Sequence, residues 1–462
     1  ISSWGNGYNA SGLFSSFARI NYKLMERYLF TFTGRYDGSS MFGSNNRYGF
    51  FPSGAIAWRI SQENFMKNLT FINDLKLRAS VGTTGTQNLT SFSNRDLYEA
   101  TSYNNLSTII HKQVGNRDIR WEKSTQYDLG LDFALFDYRL TGSISGYIKD
   151  TKDLIWSFDF PPSATGGSMQ MNRNIGALTN RGIEINLVGR VLSTKDWNLD
   201  LTLNMSHNKN KVTKLVEEGR AQSAMNVVVQ GSYADQVLAV GYPMGAFHGY
   251  EYAGIIQDQA RIDELNAYAK SKGQSYYDGN SLKPGHLEIK DLNGDGIINY
   301  NDRVIIGNPD PDLFGGLTAN LSYKQFSLFA NFGYQIGGLK IYNKTLQNLP
   351  GQLTGLIDYG LNDRWSDTNK DAKYPALYIG DGVPRLTDHE LFDASFFRLQ
   401  EVRLTYNLPL NKVIKGQLFI SATNLFTITS YPGTDPATVI SNSNYGGNYE
   451  TSAYPGFRSF SA

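Results

Sequence analysis

The sequence predicts an all-β fold, a transmembrane antiparallel β-barrel with long extracellular loops, and three observations carry that prediction. The first is residues 122–149, which read as one long hairpin: Tyr127, Leu129, Leu131, Phe133 and Leu135 share one face, and Gln126, Asp128, Gly130, Asp132 and Ala134 share the other. After a tight Phe136-Asp137 corner, Tyr138, Leu140, Gly142, Ile144, Gly146 and Ile148 alternate with Arg139, Thr141, Ser143, Ser145, Tyr147 and Lys149. Such arms exceed the usual strand of about 5–6 residues and reach the roughly 9–11 tilted residues that cross a bilayer. The second observation is composition. With 29 Tyr, 26 Phe and 46 Gly, the chain is biased towards strands and turns. The third is an asymmetry of connections, since turns such as Thr194-Lys195-Asp196 are tiny while those at the opposite strand ends run to tens of residues. Short periplasmic turns and long extracellular loops are the pattern of outer-membrane barrels.

Charge sets limits on partners. The 43 basic and 42 acidic residues nearly balance, which leaves no electrostatic case for nucleic acid. Cysteine is absent, which removes a disulfide framework and any thiolate metal site. No apolar run approaches the roughly 20 residues of a membrane helix, so a membrane location requires a closed sheet that satisfies its own backbone. The chain begins at Ile1 without Met and without a signal peptide, and is expected to be a processed or incomplete piece of something longer.

Taken in order, residues 12–22 read as a strand ending in a turn at 23–26, after which Tyr28, Phe30, Phe32, Gly34 and Tyr36 alternate with Leu29, Thr31, Thr33 and Arg35. A Gly/Ser/Asn-rich loop precedes a strand over 48–59, and Leu75, Leu77, Ala79 and Val81 alternate with Lys76, Arg78 and Ser80. Residues 83–120 read as a long surface loop, as do 150–180 with Pro161-Pro162 and Gly166-Gly167. Strands over 183–191 and 197–206 flank the turn at 194–196. Residues 209–315 far exceed a usual connection of about 4–6 residues, and are expected to carry structure of their own. Within them 258–270 predicts a short helix with Ile262, Leu265 and Ala269 on one face. Strands resume over 317–323 and 326–334 around Lys324-Gln325, a loop spans 337–394, and further strands follow at 397–408, 416–426 and from 457. The organisation expected is barrel strands and loops over 1–208, a long extracellular region over 209–315, and barrel strands and loops over 316–462.

One stretch carries local chemistry. Residues 291–302, DLNGDGIINYND, match the first half of a Ca²⁺-loop template. Asp291, Asn293 and Asp295 supply oxygens at positions 1, 3 and 5, Gly296 permits the sharp turn, Ile297 offers its carbonyl, and Asn299 and Asp302 take positions 9 and 12. A hard cation, Ca²⁺ ahead of Mg²⁺, suits that ring of oxygens, whereas an Asx-rich turn needs no metal at all. Asp302 stands where a helix–loop–helix site has a bidentate Glu, and flanking helices are not evident.

No catalytic constellation is present, and the chain is not expected to be an enzyme. His111, His207, His248, His286 and His389 are scattered without metal-ligand spacing and read as surface or loop residues. Gly5 and Gly7 lack the context of a dinucleotide fingerprint, and Asp388-His389-Glu390 reads as a solvated loop. Tyr242, Phe247, Tyr250, Tyr252, Tyr276 and Tyr277 suit sugar stacking or plain loop packing equally well.

Six segments in order, over residues 27–65, 74–88, 119–133, 291–317, 396–409 and 422–437, together resemble the SusC family of TonB-dependent outer-membrane transporters of Bacteroidetes. Among them are DLKLRASVGTTGTQN, IRWEKSTQYDLGLDF, DLNGDGIINYNDRVIIGNPDPDLFGGL, FFRLQEVRLTYNLP and ATNLFTITSYPGTDPA. The resemblance implies a 22-stranded barrel, of which this chain would supply roughly the C-terminal dozen strands or more. It also implies an outer-membrane location in contact with lipid, a plug and TonB-contacting segment not present in this chain, and a SusD-like surface lipoprotein as lid. The cargo it implies is oligosaccharide or peptide, with no nucleic acid. On that reading Gln126, Asp128, Asp132, Asn198, Asp200 and Asn204 line a wet interior. The rival is a soluble secreted β-protein that binds or cleaves glycans and carries a calcium loop. Its apolar strand faces would meet a packed core.

Overall fold

A computed structural model describes residues 10–89, 91–103, 106–160, 169–215, 227–230, 236–277, 282–342, 363–376, 386–409, 416–437, 449–450 and 456–462. Two compact units divide the chain: residues 1–226 with 316–327, and residues 227–315 with 328–462.

In the first unit β1 (Leu13–Leu24), β2 (Tyr28–Ser39), β3 (Tyr48–Arg59) and β4 (Ile72–Thr86) are antiparallel neighbours in sequence order. A hairpin of β5 (Leu97–Tyr103) and β6 (Leu106–Gln113) interrupts the chain. β7 (Glu122–Leu135) then pairs directly with β4 and is followed by β8 (Leu140–Phe160), β9 (Met169–Ser193) and β10 (Trp197–Lys214). Short connections hold one set of strand ends. Met25 and Glu26 both have positive φ, the conformation that matches a two-residue turn to strand twist, and Phe136, Asp137 and Tyr138 do the same between β7 and β8.

Register puts polar side chains on one face across eight strands. Asn21 lies opposite Thr31, Thr31 opposite Ala55, Ala55 opposite Ser80, Ser80 opposite Asp128 and Asp128 opposite Tyr147. The row continues through Gly182 to Asn208. The other face carries Phe32, Ile56, Leu77, Leu129, Ile144 and Ile183, all exposed; Leu129 is 59% and Ile183 53% accessible. A soluble sheet would cover such a face with a second layer. Here the buried clusters of this unit lie elsewhere, at the long-connection ends of the strands.

One such cluster joins Phe42, Phe51, Ile119 and Trp121, with Leu89 and Ile155 packed against it. The Trp121 ring stands 4.6 Å from that of Phe42 and 5.6 Å from that of Phe51, and its Nε1 donates to the Arg47 carbonyl at 3.2 Å. Gly85 makes room for it, since a Cβ there would fall 2.1 Å from the Phe51 ring. At the short-turn ends Phe71 stacks on Phe136, Tyr28 on Trp58, and Trp197 packs 4.2 Å from Tyr323. Amphipathic rings at strand ends suit a water–lipid boundary.

The second unit contains short strands β11 (Val227–Gln230), β12 (Gln236–Ala239), β13 (Ala246–Gly249) and β14 (Tyr252–Ile255), then helix α1 (Gln259–Ser271) and β15 (Leu287–Ile289). β16 (Val304–Gly307) precedes the long strands β17 (Pro311–Tyr323), whose residues 316–323 belong to the first unit, and β18 (Phe326–Gly337). β19 (Leu339–Tyr342), β20 (Leu391–Asp393), β21 (Phe396–Leu408), β22 (Gly416–Thr429), β23 (Tyr449–Glu450) and β24 (Ser459–Ser461) complete it. Strand order is β18-β21-β22-β24, with small sheets β11-β12-β13-β16, β14-β15 and β20-β19-β23 beside it. The helix forms as expected. Asp258 caps it by accepting from the Arg261 N–H at 2.9 Å, and Ile262, Leu265 and Ala269 are buried against Tyr276, Tyr277, Leu287 and Ile289.

Three expected loops carry more structure than the sequence suggested. β8 continues to Phe160 and β9 starts at Met169, so most of 150–180 is paired strand. A bulge at Asp153, with φ 58°, breaks the alternation that a period of two would have followed. The Pro161-Pro162 and Gly166-Gly167 pairs lie outside the described residues, as do Gly5 and Gly7. Residues 83–120 contain β5 and β6, whose alternation is masked by Ser and Thr of neutral hydropathy. Residues 337–394 contain β19 and β20, and β10 runs to Lys214, beyond the boundary placed at 208.

Two outcomes test this description. Leu131→Lys, on the apolar face, should destabilise the folded protein in lipid vesicles by about 2–4 kcal/mol in urea titrations, whereas Ser145→Lys on the polar face should change it by no more than about 0.5 kcal/mol. Trp121→Ala should cost about 3–5 kcal/mol locally, read as faster proteolysis around 40–47 and 115–121 with the strands intact.

Candidate functional site

Two features offer chemistry, the polar strand face of the first unit and the Asp/Asn-rich loop of the second. On the polar face Lys76 Nζ lies 2.8 Å from Asp132 Oδ2 and Arg78 Nε donates to Asp132 Oδ1 at 3.1 Å. Gly130, directly opposite Arg78, leaves space for that guanidinium; a Cβ would sit 2.6 Å from Arg78 Cζ. Asp128 accepts from Ser80 Oγ at 3.1 Å and Gln126 Nε2 at 2.7 Å. Tyr147 donates to Asn208 Oδ1 at 2.9 Å, and Asn210 Nδ2 to Asn180 Oδ1 at 2.8 Å. These side chains pair sideways across strands and stay partly exposed, which suits contact with water or a polar solute and not a packed interior.

Of the six interior positions expected, Gln126, Asp128, Asp132 and Asn204 share this face, Asn204 lying opposite Asn186. Asp200 also faces that way, 3.5 Å from Arg190. Asn198 follows the same alternation along β10, because the bulge between Leu199 and Asp200 has its extra residue, Val191, on β9; it accepts from Ser193 Oγ near the turn.

In the loop, Asp291 Oδ1 accepts from the Gly294 N–H and Oδ2 from the Gly296 N–H, each at 2.7 Å, while the Tyr268 hydroxyl of α1 donates to Oδ2 at 2.9 Å. Asn293 Oδ1 accepts from the Asp295 N–H, and Asp295 Oδ1 from the Ile297 N–H. Asn299 caps the short turn Tyr300–Asp302, and its Nδ2 donates to the Ile297 carbonyl at 3.4 Å. Asp302 is fully buried and accepts from the Leu292 and Asn299 N–H groups at 3.1 and 2.9 Å. All six residues therefore belong to one closed loop seated on α1. Gly296, with φ 87°, packs so close that a Cβ would fall 2.8 Å from Lys272 Cβ. Among the described residues no three His, Asp or Glu side chains are gathered closely enough to hold a metal ion.

Burial pushes the Asp291 carboxyl up, but the Gly296 N–H, the Tyr268 hydroxyl and the Gly294 N–H outweigh it and hold the group below its ordinary value. A carboxyl lowered by folding adds stability above the unfolded-state pKa, and that stability is lost as pH falls through the folded value.

The aromatic loop residues divide clearly. Phe247, Tyr250, Tyr276 and Tyr277 are buried and serve loop packing, with the Tyr277 hydroxyl donating to the Leu287 carbonyl at 2.7 Å, whereas Tyr242 is exposed. His248 and His286 are buried rather than on the surface. Asp388-His389-Glu390 is not a solvated loop either. Asp388 Oδ1 accepts from the Tyr252 N–H at 2.8 Å, Glu390 is buried, and His389 packs 4.7 Å from the Tyr252 ring. Beside it Tyr374 has its hydroxyl pushed up to about 12, by burial first and by the Glu390 charge.

A charged cluster escaped the sequence reading. Lys340, 1% exposed, donates to the Asp435 carbonyl at 3.1 Å and lies 5.1 Å over the Tyr431 ring, while Arg398 pairs with the Asp435 carboxylate. The signal available was a lone basic residue in the apolar run Leu339–Tyr342, too weak to act on.

Comparison with known proteins adds the following. The model of the TonB dependent receptor-like β-barrel family matches residues 2–304. TonB-dependent receptor P3 of Formosa agariphila is 36% identical over 98% of this chain and 45% of its own length. TonB-dependent receptor SusC of Bacteroides thetaiotaomicron is 32% identical over 92% of this chain and 41% of its own. A solved structure of the RagAB peptide transporter aligns at a TM-score of 0.77 and 28% identity, over 97% of this chain and 47% of that one. The chain thus spans under half the length of the curated relatives it matches.

Asp291→Asn tests the loop chemistry. The variant should lose one charged acceptor, at a cost of about 1–3 kcal/mol; amide protection over 291–302, taken relative to the intrinsic exchange rate at each pH, should fall on acidification below about pH 4 in the parent and not in the variant.

Proposed function

Because the chain belongs to the β-barrel family of TonB-dependent receptors and is SusC-like, an outer-membrane protein, we propose that it forms barrel wall and outer loops of a TonB-driven importer of oligosaccharides or peptides. The observation that carries this reading is the division of the first unit into two faces: hydrogen-bonded polar groups on one, Leu129, Ile144 and Ile183 uncovered on the other. Only a chain with lipid on one side and water on the other gains from that arrangement. It disfavours the soluble glycan-binding or glycan-cleaving alternative, which needs the apolar face covered.

The partners in this reading are a SusD-like lipoprotein over the loops and the TonB complex, reached through a plug and leading segment. Likeness to the RagAB peptide transporter supports the peptide arm, and likeness to SusC supports the pairing with a lipoprotein. The loop of Asp291, Asn293, Asp295, Ile297, Asn299 and Asp302 is proposed to take Ca²⁺, with Mg²⁺ a poorer fit because it demands a tighter octahedron. Its carboxylates retain lone pairs beyond those meeting N–H groups, Asp302 included, which accepts a single N–H on each oxygen. Bound there, the ion would stiffen the loop on α1 and lower the ordering cost of lid closure.

Two measurements decide. Affinity capture of the detergent-solubilised protein should bring down a SusD-like lipoprotein, and loss of the protein should abolish growth on its oligosaccharide or peptide source; an unaffected strain and an empty capture would refute the importer. Chelation, or Asp291→Ala with Asp295→Ala, should raise protease sensitivity across 291–302 and leave the barrel folded. Unchanged sensitivity on chelation would remove the metal.

A further inference from the structure

The apolar face of β7 to β10 does not run to the long-connection ends of those strands. Counting along it, the row Leu131, Ile144, Ile185 and Met205 is followed by Leu129, Gly146, Ile183 and His207, then by Tyr127, Ile148, Arg181 and Lys209. The next row is Thr125, Asp150, Thr179 and Lys211, and above it Lys123 stands opposite Lys152. Within about three rows, roughly 20 Å along a strand at about 3.4 Å per residue, the surface changes from aliphatic to cationic. Lys123, Lys152, Arg181, Lys209 and Lys211 are all exposed, and among the described residues none of the five is recorded in an ion pair. The acidic group sharing these rows is Asp150, which accepts from Thr179 Oγ1 at 2.6 Å. Glu184 and Glu122 project to the opposite face by the same alternation. A cavity of about 690 Å³ adjoins Lys152; its wall holds Arg120, Arg173 and Lys214 together with the carboxylates Asp118 and Asp153, the latter paired with Arg120, and these three cations are not counted among the five.

An unpaired cationic band directly above a lipid-facing surface has one natural complement. We propose that it binds the phosphate-bearing headgroups of outer-leaflet lipid, resting as this does on the membrane-barrel reading. Charge complementarity argues for it. Five cations converge where the acyl region gives way to headgroups, and guanidinium and ammonium groups are the side chains that recognise phosphate oxygens. The strand ends concerned are those of the long connections, which face outward in barrels of this kind. The opposite ends of β7 to β10 close on Phe136, Tyr138 and Trp197, an aromatic rim.

The test uses the whole detergent-solubilised protein. Its melting temperature is followed on adding diphosphoryl lipid A, the same lipid with phosphates removed, or inorganic phosphate. Diphosphoryl lipid A should protect, and the half-maximal concentration should rise at least tenfold in Arg181→Gln/Lys209→Gln/Lys211→Gln. Lys149→Gln, a cation of equal height on the inward face, should leave it unchanged. Equal protection by the dephosphorylated lipid, by inorganic phosphate, or of the triple variant would overturn the inference while leaving the barrel intact. A protein that stays dispersed in buffer without detergent would instead sink the barrel reading beneath it.

Discussion

Everything in the first unit follows from one constraint: backbone N–H and C=O groups that meet hydrocarbon can be satisfied only by neighbouring strands. β8 and β9 accordingly pair without a break from Leu140 to Lys152, through every row that carries the apolar face, and the ladder then continues past the bulge at Asp153 to 20 rungs in all. The side chains are then sorted by alternation alone. Once Leu129 and Ile183 point to lipid, Asp128 and Gly182 must point inward, and the polar pairs Lys76–Asp132 and Ser80–Asp128 come within reach without any further device.

The second unit obeys a different rule. Its connections are too long to be ordered by strand pairing, so they build a small water-excluding core around α1, into which Tyr276 and Tyr277 bury their rings while their hydroxyls satisfy the carbonyls of Ile289 and Leu287. The Asp/Asn-rich loop is a surface feature of that core. Asp291 accepts from the Gly294 and Gly296 N–H groups, and Tyr268 ties the loop to the helix.

Legibility in the sequence tracked these two rules. Where a strand has lipid on one side and water on the other, alternation is written residue by residue, and the strand expected over 48–59 coincides with β3. The helix was equally plain from the spacing of Ile262, Leu265 and Ala269, while Asp258, expected within it, is its cap. The pattern faded at the bulge of β8, where one extra residue swaps faces, and in β5 and β6, where Ser and Thr suit either face. Burial that depends on contacts distant in the chain left no such trace. His248, His286 and Glu390 are hidden by contacts far apart in the chain, as is Lys340 by Asp435.

The cluster of Phe42, Phe51, Ile119 and Trp121 has a mechanical meaning. Phe51 belongs to β3, Phe42 to the segment after β2, and Ile119 and Trp121 to the segment before β7, so one knot of rings fastens two outer segments to the wall. A tug on either would be felt by β3 as a stiff lever feels its load, whereas sequence grafted further out could be exchanged without loosening the rivet.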